Sequence, residues 1–168
     1  MKQTLKYIYS IVYDDMKFAE AKHNIVLTLS GAVIAFSTTF FSSNSIQTVF
    51  AVASIIFSLI AILYSFVALI ARRVRVRQRK RVKNNPNLIS YSDIIHFDEF
   101  SYIKAIKSDY DFVKQYKPDQ MDYDLAREII STSKLTWIKC LYFNLAVIFL
   151  IASILSIIIA VLIRGNLW

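Results

Sequence analysis

Glycine, proline and cysteine are nearly absent from this sequence. Its 168 residues include two glycines, two prolines and one cysteine. Turns between strands favour glycine and proline, so their scarcity argues against a sheet-rich fold and favours a chain made of helices. The single cysteine, Cys140, rules out an internal disulfide, and its place in an apolar run indicates a buried free thiol. The sequence therefore predicts an all-α protein.

Formal charge is missing from two long stretches, 24–71 and 140–163. A membrane-spanning helix needs about 20 apolar residues, so the first stretch has room for two spans separated by the polar residues around Asn44. The chain is also 56% hydrophobic, whereas soluble domains are about 45–50% apolar. We expect three transmembrane helices: 25–42 and 48–71, which form a hairpin over 25–71, and 137–163.

Positive charge is concentrated in 72–83, RRVRVRQRKRVK, which directly follows the second predicted span. Because Lys and Arg next to a span stay on the cytoplasmic side, we expect segments 1–24 and 72–136 to be cytoplasmic and the tail 164–168 to be outside. Binding of an anionic ligand by Arg72, Arg73, Arg75 and Arg77 is the alternative use of this charge. No DNA or RNA partner is expected, since no aromatic residue is interleaved with these arginines.

The predicted cytoplasmic part is small and helical. The arm 1–24 places apolar residues on one side of a helix, at Leu5, Ile8, Val12, Met16 and Ala19. Neither glycine nor proline occurs from 119 to 164, and three aspartates at 119, 122 and 124 favour a helix start there. The third span is therefore expected to extend inward as one long helix. These pieces can bury their apolar faces only against each other or against a second copy.

Small residues recur at helical spacing in every predicted span. They are Thr28, Ala32, Ala35, Thr39 and Ser42 in the first; Ala51, Ser54, Ser58, Ala61, Ser65 and Ala68 in the second; and Ala152, Ser156 and Ala160 in the third. In lipid, small residues and hydroxyl groups hold helices together, so Ser54, Ser58, Ala61 and Ser65 are our helix-packing candidates. Either the first two stripes face each other, or one faces a neighbouring subunit or an aqueous path. We expect a homo-oligomer.

Residues suited to catalysis are scarce. His23 and His96 are the only histidines, and with a single cysteine they offer no zinc-ligand spacing. Glycine-rich phosphate loops and nucleophile–base motifs are absent. We predict no enzyme, no catalytic site, no metal site and no cofactor.

Three segments share a pattern with a known family. They are DDMKFAEAKHNIVLTLSGAVIAF, with D-x-K-x-x-E-x-x-x-N running into a span; NPNLISYSDIIHFDEFSYIKAI; and DLAREIISTSKLTWIKCLYFNLAVIFL. Together they resemble the Pycsar-type transmembrane effector family of bacterial phage defence, over roughly 14–160. The pattern falls on Asp15, Lys17, Glu20 and Asn24, on Pro86, Asn87 and Leu88, and on Lys134 and Lys139.

Lys17, Glu20 and Asn24 share one stripe of a helix, at i, i+3 and i+7. This stripe has two possible roles. The three residues form a capping and salt-bridge cluster that fixes the helix at the bilayer surface, or they act in ligand sensing or gating.

The resemblance implies a dormant effector in the bacterial inner membrane. A cyclic nucleotide made during infection, expected to be a cyclic pyrimidine monophosphate, would bind this chain or a nucleotide-sensing partner. The spans would then oligomerise or repack and permeabilise the bilayer, which ends the infection at the expense of the cell. The rival hypotheses are a signal-independent, holin-like pore and a structural membrane subunit that docks a soluble partner.

Overall fold

The computed structural model describes residues 1–41, 45–71, 86–110 and 116–165. Over these residues the regular secondary structure is entirely helical, which confirms the predicted all-α class. The five helices are α1 (Lys2–Thr38), α2 (Ser45–Ile70), α3 (Tyr91–Ile94), α4 (Glu99–Asp109) and α5 (Gln120–Gly165). The basic stretch 72–83 lies outside the described residues.

Reciprocal side-chain caps start α4 and α5. The Ser101 amide donates to Asp98 Oδ1 at 3.0 Å, and the Asp98 amide donates to Ser101 Oγ at 3.1 Å. Asp119 and Asp122 exchange the same kind of bond, both at 3.0 Å, immediately before α5. Such pairs satisfy amide groups that have no partner inside the helix. With no glycine or proline to interrupt it, α5 then runs for 46 residues, as the sequence predicts.

The described residues form two compact units. Unit 1 comprises those of Met1–Ala19 and Ala71–Lys139, and unit 2 comprises those of Glu20–Ile70 and Cys140–Trp168. Helices α3 and α4 belong to unit 1 and α2 to unit 2, while α1 and α5 contribute to both.

Unit 1 has an aliphatic core. Its buried members are Leu5, Ile8, Val12, Leu88, Ile94, Phe97, Tyr102, Ile103, Ile106, Ala126, Ile129 and Ile130. The predicted apolar side of the N-terminal arm supplies the first three, and Ala19 is buried as well. Burial of apolar area, worth about 25 cal/mol per Å², therefore joins the arm to the later helices of this unit, within a single chain.

Unit 2 is a three-helix bundle of α2 with the Glu20–Thr38 part of α1 and the Cys140–Gly165 part of α5. One buried cluster joins Val26, Ala61, Ala146 and Leu150, and a second joins Phe40, Ala51, Ile157 and Ala160. In these clusters residue numbers rise along α1 and α5 together while they fall along α2. Helix α2 therefore runs antiparallel to the other two.

Two helices, rather than the predicted three, are candidate membrane spans among the described residues: Ile46–Ile70 and Gln120–Ile163. The predicted first span, 25–42, is not one of them. Its helix ends at Thr38, so the uncharged part from Asn24 is 15 residues long. At 1.5 Å per residue it measures about 22 Å, short of the roughly 30 Å hydrocarbon core. The prediction of three independent spans is wrong.

Candidate functional site

The surface of unit 2 is apolar. Large aliphatic side chains are exposed along α2 and α5, as at Ile56, Leu63 and Leu162. Only 28% of the most apolar window of α2, and 33% of that of α5, is buried inside the protein. Monomeric soluble proteins rarely expose apolar patches larger than a few hundred Å². The exterior of this bundle is therefore typical of a surface that faces lipid.

The interior of unit 2 is rich in small side chains, many of which are polar. Its buried serines are Ser30, Ser37, Ser54, Ser58, Ser65, Ser153 and Ser156, and its fully buried alanines are Ala51, Ala61, Ala68, Ala146 and Ala160. Among the described residues of this unit no Asp, Glu, Lys or Arg is buried. Small residues let helix backbones approach closely, and hydroxyl groups supply hydrogen bonds where lipid gives no hydrophobic drive for association.

A serine cluster, consisting of Ser37, Ser54, Ser58 and Ser153, links all three helices of unit 2. The Oγ atoms of Ser37 and Ser54 are 3.0 Å apart, and Ser153 Oγ lies 2.8 Å from both Ser54 Oγ and Ser58 Oγ. Ser153 also donates to the Ser54 carbonyl oxygen at 2.8 Å. All four residues are fully buried. Ser153 is the hub of the cluster, because it alone contacts two hydroxyls of α2.

The helix-packing candidates Ser54, Ser58, Ala61 and Ser65 are all fully buried in unit 2. The stripe predicted on the first span behaves differently. Its described members, Thr28, Ala32, Ala35 and Thr39, are exposed. The interpretation that the two stripes face each other is therefore wrong, because α1 packs through another face, which carries Val26, Ser37 and Phe40.

Aromatic rings also join α2 and α5 within unit 2. The Tyr64 ring stacks on Phe149 with centroids 5.6 Å apart and lies 6.1 Å from the Tyr142 ring, while Phe57 lies 6.4 Å from Phe149. On α1, His23 is buried and meets the edge of Phe143 at 5.8 Å. Such ring pairs add to stability beyond the area that they bury, so they stabilise the packing of α2 against α5 and of α1 against α5 in unit 2.

The sensing candidates Lys17, Glu20 and Asn24 all lie on α1. Lys17 is exposed in unit 1, with its Nζ 4.6 Å from the centroid of the Tyr13 ring. Glu20 is half-buried and Asn24 is exposed in unit 2, where the Asn24 carbonyl accepts from Thr28 Oγ1 at 3.0 Å. Their sensing role stays a prediction. Arg72, Arg73, Arg75 and Arg77 lie outside the described residues.

The Pro86-Asn87-Leu88 turn is anchored on unit 1. Asn87 Oδ1 accepts from the Ile89 amide at 3.0 Å, and the Asn87 amide donates to Asp93 Oδ2, also at 3.0 Å. The Leu88 carbonyl accepts from the buried Tyr102 hydroxyl at 2.7 Å, and burial raises the pKa of that phenol. These bonds give the turn a structural role, because they fix it against α3 and α4.

Ion pairs lie at the surface of unit 1. Lys2 Nζ is 2.6 Å from Asp119 Oδ2, and this bond lowers the pKa of Asp119 and raises that of Lys2. Arg127 lies 3.1 Å from Glu99 and 3.6 Å from Asp124. Over the described ranges no group of three or more His, Cys, Asp or Glu side chains is placed to hold a metal ion.

Two members of the serine cluster, Ser37 and Ser153, were not among the predicted packing residues. A sequence signal for them exists. Interior positions of α1 recur at intervals of three and four, at His23, Val26, Ser30, Val33 and Ser37, and the spacing continues to Phe40 in the turn after the helix. Those of α5 do so at Ala146, Leu150, Ser153, Ile157 and Ala160. The pattern of small residues alone indicates the wrong face of α1, because the interior face alternates serines with valines.

A helical bundle with a lipid-facing exterior and a hydroxyl-bonded interior defines this protein as a membrane protein. The model of the Pycsar effector protein domain, PycTM, matches residues 4–165. The chain therefore belongs to the Pycsar effector family, the membrane effectors of cyclic-nucleotide antiphage defence, which are not known enzymes. Searches of curated proteins and of solved structures each gave no match.

Proposed function

We propose that this protein is a dormant effector that permeabilises the bacterial inner membrane when a cyclic nucleotide signals infection. The observation that carries the proposal is the reversed distribution of unit 2, with most leucines and isoleucines outside and an interior rich in serine and alanine. A bundle of this kind is stable in lipid, while its interior holds the polar groups that a water-filled path requires.

The trigger in this proposal is a cyclic pyrimidine monophosphate, which fits the cyclic-nucleotide context of the family. It is bound by this chain or by a nucleotide-sensing partner. Lys17, Glu20 and Asn24 are candidates for sensing or gating. The guanidinium groups of Arg72, Arg73, Arg75 and Arg77 are the other candidates, because a phosphate diester is an anion that arginine recognises well.

The proposed topology follows from the charge of the flanking segments. Residues 1–24 and 72–136 are cytoplasmic, since 72–83 carries eight basic residues directly after α2. The tail 164–168 is outside. The apolar part of α1, which is too short to be a candidate span, accompanies α2 and α5, on which it packs through Val26 and Phe40.

Activation in this scheme is a change in how the helices of unit 2 pack, or in how copies associate. Hydroxyl pairs between membrane helices contribute modestly, about 0.6 kcal/mol on average, so their rearrangement is within reach of ligand binding. The exposed small residues of α1, such as Thr28, Ala32 and Ala35, allow a second copy to approach closely. A ligand drives such a change only if it binds the active state more tightly.

Dye leakage from vesicles that contain the purified full-length protein tests this function. We expect a cyclic pyrimidine monophosphate to release dye, and cyclic AMP at the same concentration to leave the vesicles intact. Leakage without any nucleotide would favour the signal-independent pore. No leakage with any nucleotide would contradict direct triggering, and adding lysate from infected cells would then test for a sensing partner.

Charge variants test the sensing candidates in the same assay. We expect Lys17→Gln to raise the nucleotide concentration that gives half-maximal leakage by about tenfold, the usual scale for one lost charge-assisted hydrogen bond. Lys6→Gln is the matched control, because Lys6 is also an exposed lysine of α1. Equal behaviour of the two variants would remove Lys17 from the sensing site.

A further inference from the structure

Two hydroxyl groups in unit 2 are buried without a hydrogen-bond partner among the described residues. They belong to Ser30 on α1 and Ser65 on α2, and both side chains are fully buried. Other serines of the unit avoid this state by donating to a carbonyl one turn earlier, as Ser37 does to Val33 at 2.7 Å. Buried polar groups are almost always satisfied by protein or by water. The two hydroxyls therefore point to water as their partner.

Both hydroxyls extend the interior face that carries the serine cluster. Ser65 follows Ser58 by two helical turns, and Ser30 precedes Ser37 by two turns. Because α1 and α2 are antiparallel, the two residues lie on the same side of the cluster. From Ser54 to Ser65 the hydroxyls of α2 extend over about 16 Å at 1.5 Å per residue. Over this distance the interior also carries Ala61 of α2, with Val33 of α1 and Leu150 of α5 in the same apolar cluster, so the hydroxyls follow one another along the bundle with an apolar layer between them.

We propose that Ser30 and Ser65 bind water inside a single protomer and that, together with the serine cluster, they form a hydroxyl-lined seam along which the activated protein conducts. The inference of the two water sites depends only on the buried hydroxyl groups of Ser30 and Ser65. The conducting role of the seam rests on the proposed function, since it requires that the protein permeabilises membranes.

The serine cluster closes the seam in this structure. Its hydroxyls contact each other directly across the helices at 2.8–3.0 Å, which leaves no space for water between them. Ser30 and Ser65 lie beyond this closed point. Opening requires the contacts of Ser153 to exchange protein partners for water, a near-balanced exchange because a water-mediated hydrogen bond is almost as favourable as a direct one.

The chemistry of the seam indicates what it conducts. Hydroxyl groups are neutral and both donate and accept hydrogen bonds, and no charged side chain is buried among the described residues of unit 2. Rings of charged residues normally give channels their charge selectivity. We therefore expect water and small hydrated ions of both signs to pass, with weak selectivity.

Cysteine accessibility in vesicles tests the water sites in the resting state. In a Cys140→Ser background, single variants Ser30→Cys and Ser65→Cys are treated with Ag⁺, and Leu29→Cys and Leu63→Cys on the same two helices are the lipid-facing controls. Only a thiolate reacts, and it forms only in contact with water. We expect the two serine positions to react at least about tenfold faster than the controls. Equal rates would overturn the water sites.

Thermal stability tests the same two water sites without chemical labelling. If the two hydroxyls were dry, Ser30→Ala and Ser65→Ala would each remove an unsatisfied buried group and raise the melting temperature. If they bind water, the alanine variants lose hydrogen bonds, and the melting temperature stays equal or falls. A rise in both variants would contradict the proposal.

Blocking the seam tests the conducting role. Ser65→Cys, once labelled with a methanethiosulfonate reagent, is expected to leak at least about fivefold more slowly on triggering than labelled Leu63→Cys, because the added group fills the seam. Triggered leakage that this label does not slow would overturn the path within a protomer and leave the proposed function intact. If the unmodified protein leaks neither with nucleotide nor with lysate from infected cells, the proposed function and the conducting role are refuted together, while the Ag⁺ rates still decide the water sites.

Discussion

The two units of this protein have opposite kinds of residue in their interiors. The core of unit 1 is built from isoleucine, leucine and aromatic side chains, such as Ile8, Tyr102 and Ile129. The interior of unit 2 is rich in serine and alanine, and most of its leucines and isoleucines are on the outside, with Leu150 and Ile157 as buried exceptions. The hydrophobic effect explains the first arrangement. The second is stable only where the surroundings are themselves apolar.

The units also differ in how they satisfy polar groups. In unit 1 side chains bond to backbone groups, at the caps of α4 and α5 and at the Asn87 turn. In unit 2 the serine cluster bonds hydroxyl to hydroxyl across helices. Caps fix where a helix starts, whereas bonds between helices fix how the helices pack. Any change in how the helices of unit 2 pack would therefore have to rearrange the contacts of the serine cluster.

The largest expected effect is the loss of a core side chain from unit 1. Ile129→Ala, at a fully buried position, should destabilise unit 1 by about 2–5 kcal/mol because it removes apolar contacts and leaves a cavity. Amide hydrogen exchange of residues 123–133 measures the loss. The matched change Ile151→Ala, on the exterior of unit 2, should have little effect on exchange. A large effect there would mean that Ile151 is buried against protein.

Charge on the exterior of unit 2 should have the next largest effect. Leu63→Lys places a lysine on a candidate span and should cost about 2.5–3.5 kcal/mol of membrane insertion. Phe100→Lys is the control in unit 1, because both side chains are 64% exposed. The amount of protein in the membrane fraction measures the effect. Equal membrane fractions for both variants would contradict a lipid-facing α2.

Removing the hub of the serine cluster should have a moderate effect. Ser153→Ala deletes the hydroxyl that contacts Ser54 and Ser58, at a cost of about 0.6–1.7 kcal/mol. We expect a lower melting temperature in detergent and faster leakage at a limiting trigger concentration. Ser156→Ala is the control, since Ser156 Oγ bonds only the Ala152 carbonyl of its own helix among the described residues. A Ser153→Ala protein that leaks no faster than this control would separate the cluster from gating.

The smallest expected effect concerns the surface of unit 1. The pKa of Glu99 is lowered by a hydrogen bond from its own backbone amide and by Arg127. A lowered folded-state pKa gives stability that is present above the unfolded pKa and is lost as the pH falls through the folded value. Arg127→Gln should therefore cost about 0.2–1 kcal/mol at pH 7 and nothing at pH 2. A cost that is equal at both pH values would exclude the ion pair as its source.

Much of the fold follows from the sequence. An all-α chain with a long final helix is indicated by the scarcity of glycine and proline, by the uncharged stretches and by the aspartates before α5. The structure has both features. The buried side of the N-terminal arm follows from the spacing of Leu5, Ile8 and Val12. Such features depend on local periodicity and capping, which neighbouring residues in the sequence determine.

The faces of the helices in unit 2 follow less directly. On α1 the small residues at Thr28, Ala32 and Ala35 are exposed, while Ser30 and Ser37 are inside. A helix in lipid has no polar face to mark its outside, so two stripes of small residues, two positions apart, are equally good candidates for the buried face. Which stripe is buried depends on residues of the partner helices, such as Ser54 of α2, which contacts Ser37 at 3.0 Å and is not part of the local pattern of α1.

The length of the first predicted span is a second feature that the local sequence does not determine. The uncharged stretch 24–71 fits two spans by counting residues, but α1 ends at Thr38. Its serines and threonines reduce its hydropathy, and only its interior face packs against α2 and α5. Counting uncharged residues therefore does not distinguish a full-length span from a shorter helix that packs along two spans.

The most direct test of the account is a spin-label accessibility measurement on the full-length protein in vesicles, at Leu63 of unit 2 and Phe100 of unit 1. Each position is changed to cysteine in the Cys140→Ser background and labelled. The two residues have the same exposed fraction, so only the surrounding medium differs. We expect the label at 63 to meet oxygen, which dissolves in lipid, and the label at 100 to meet a water-soluble nickel complex. A label at 63 that meets the nickel complex as often as the label at 100 would contradict a lipid-facing unit 2.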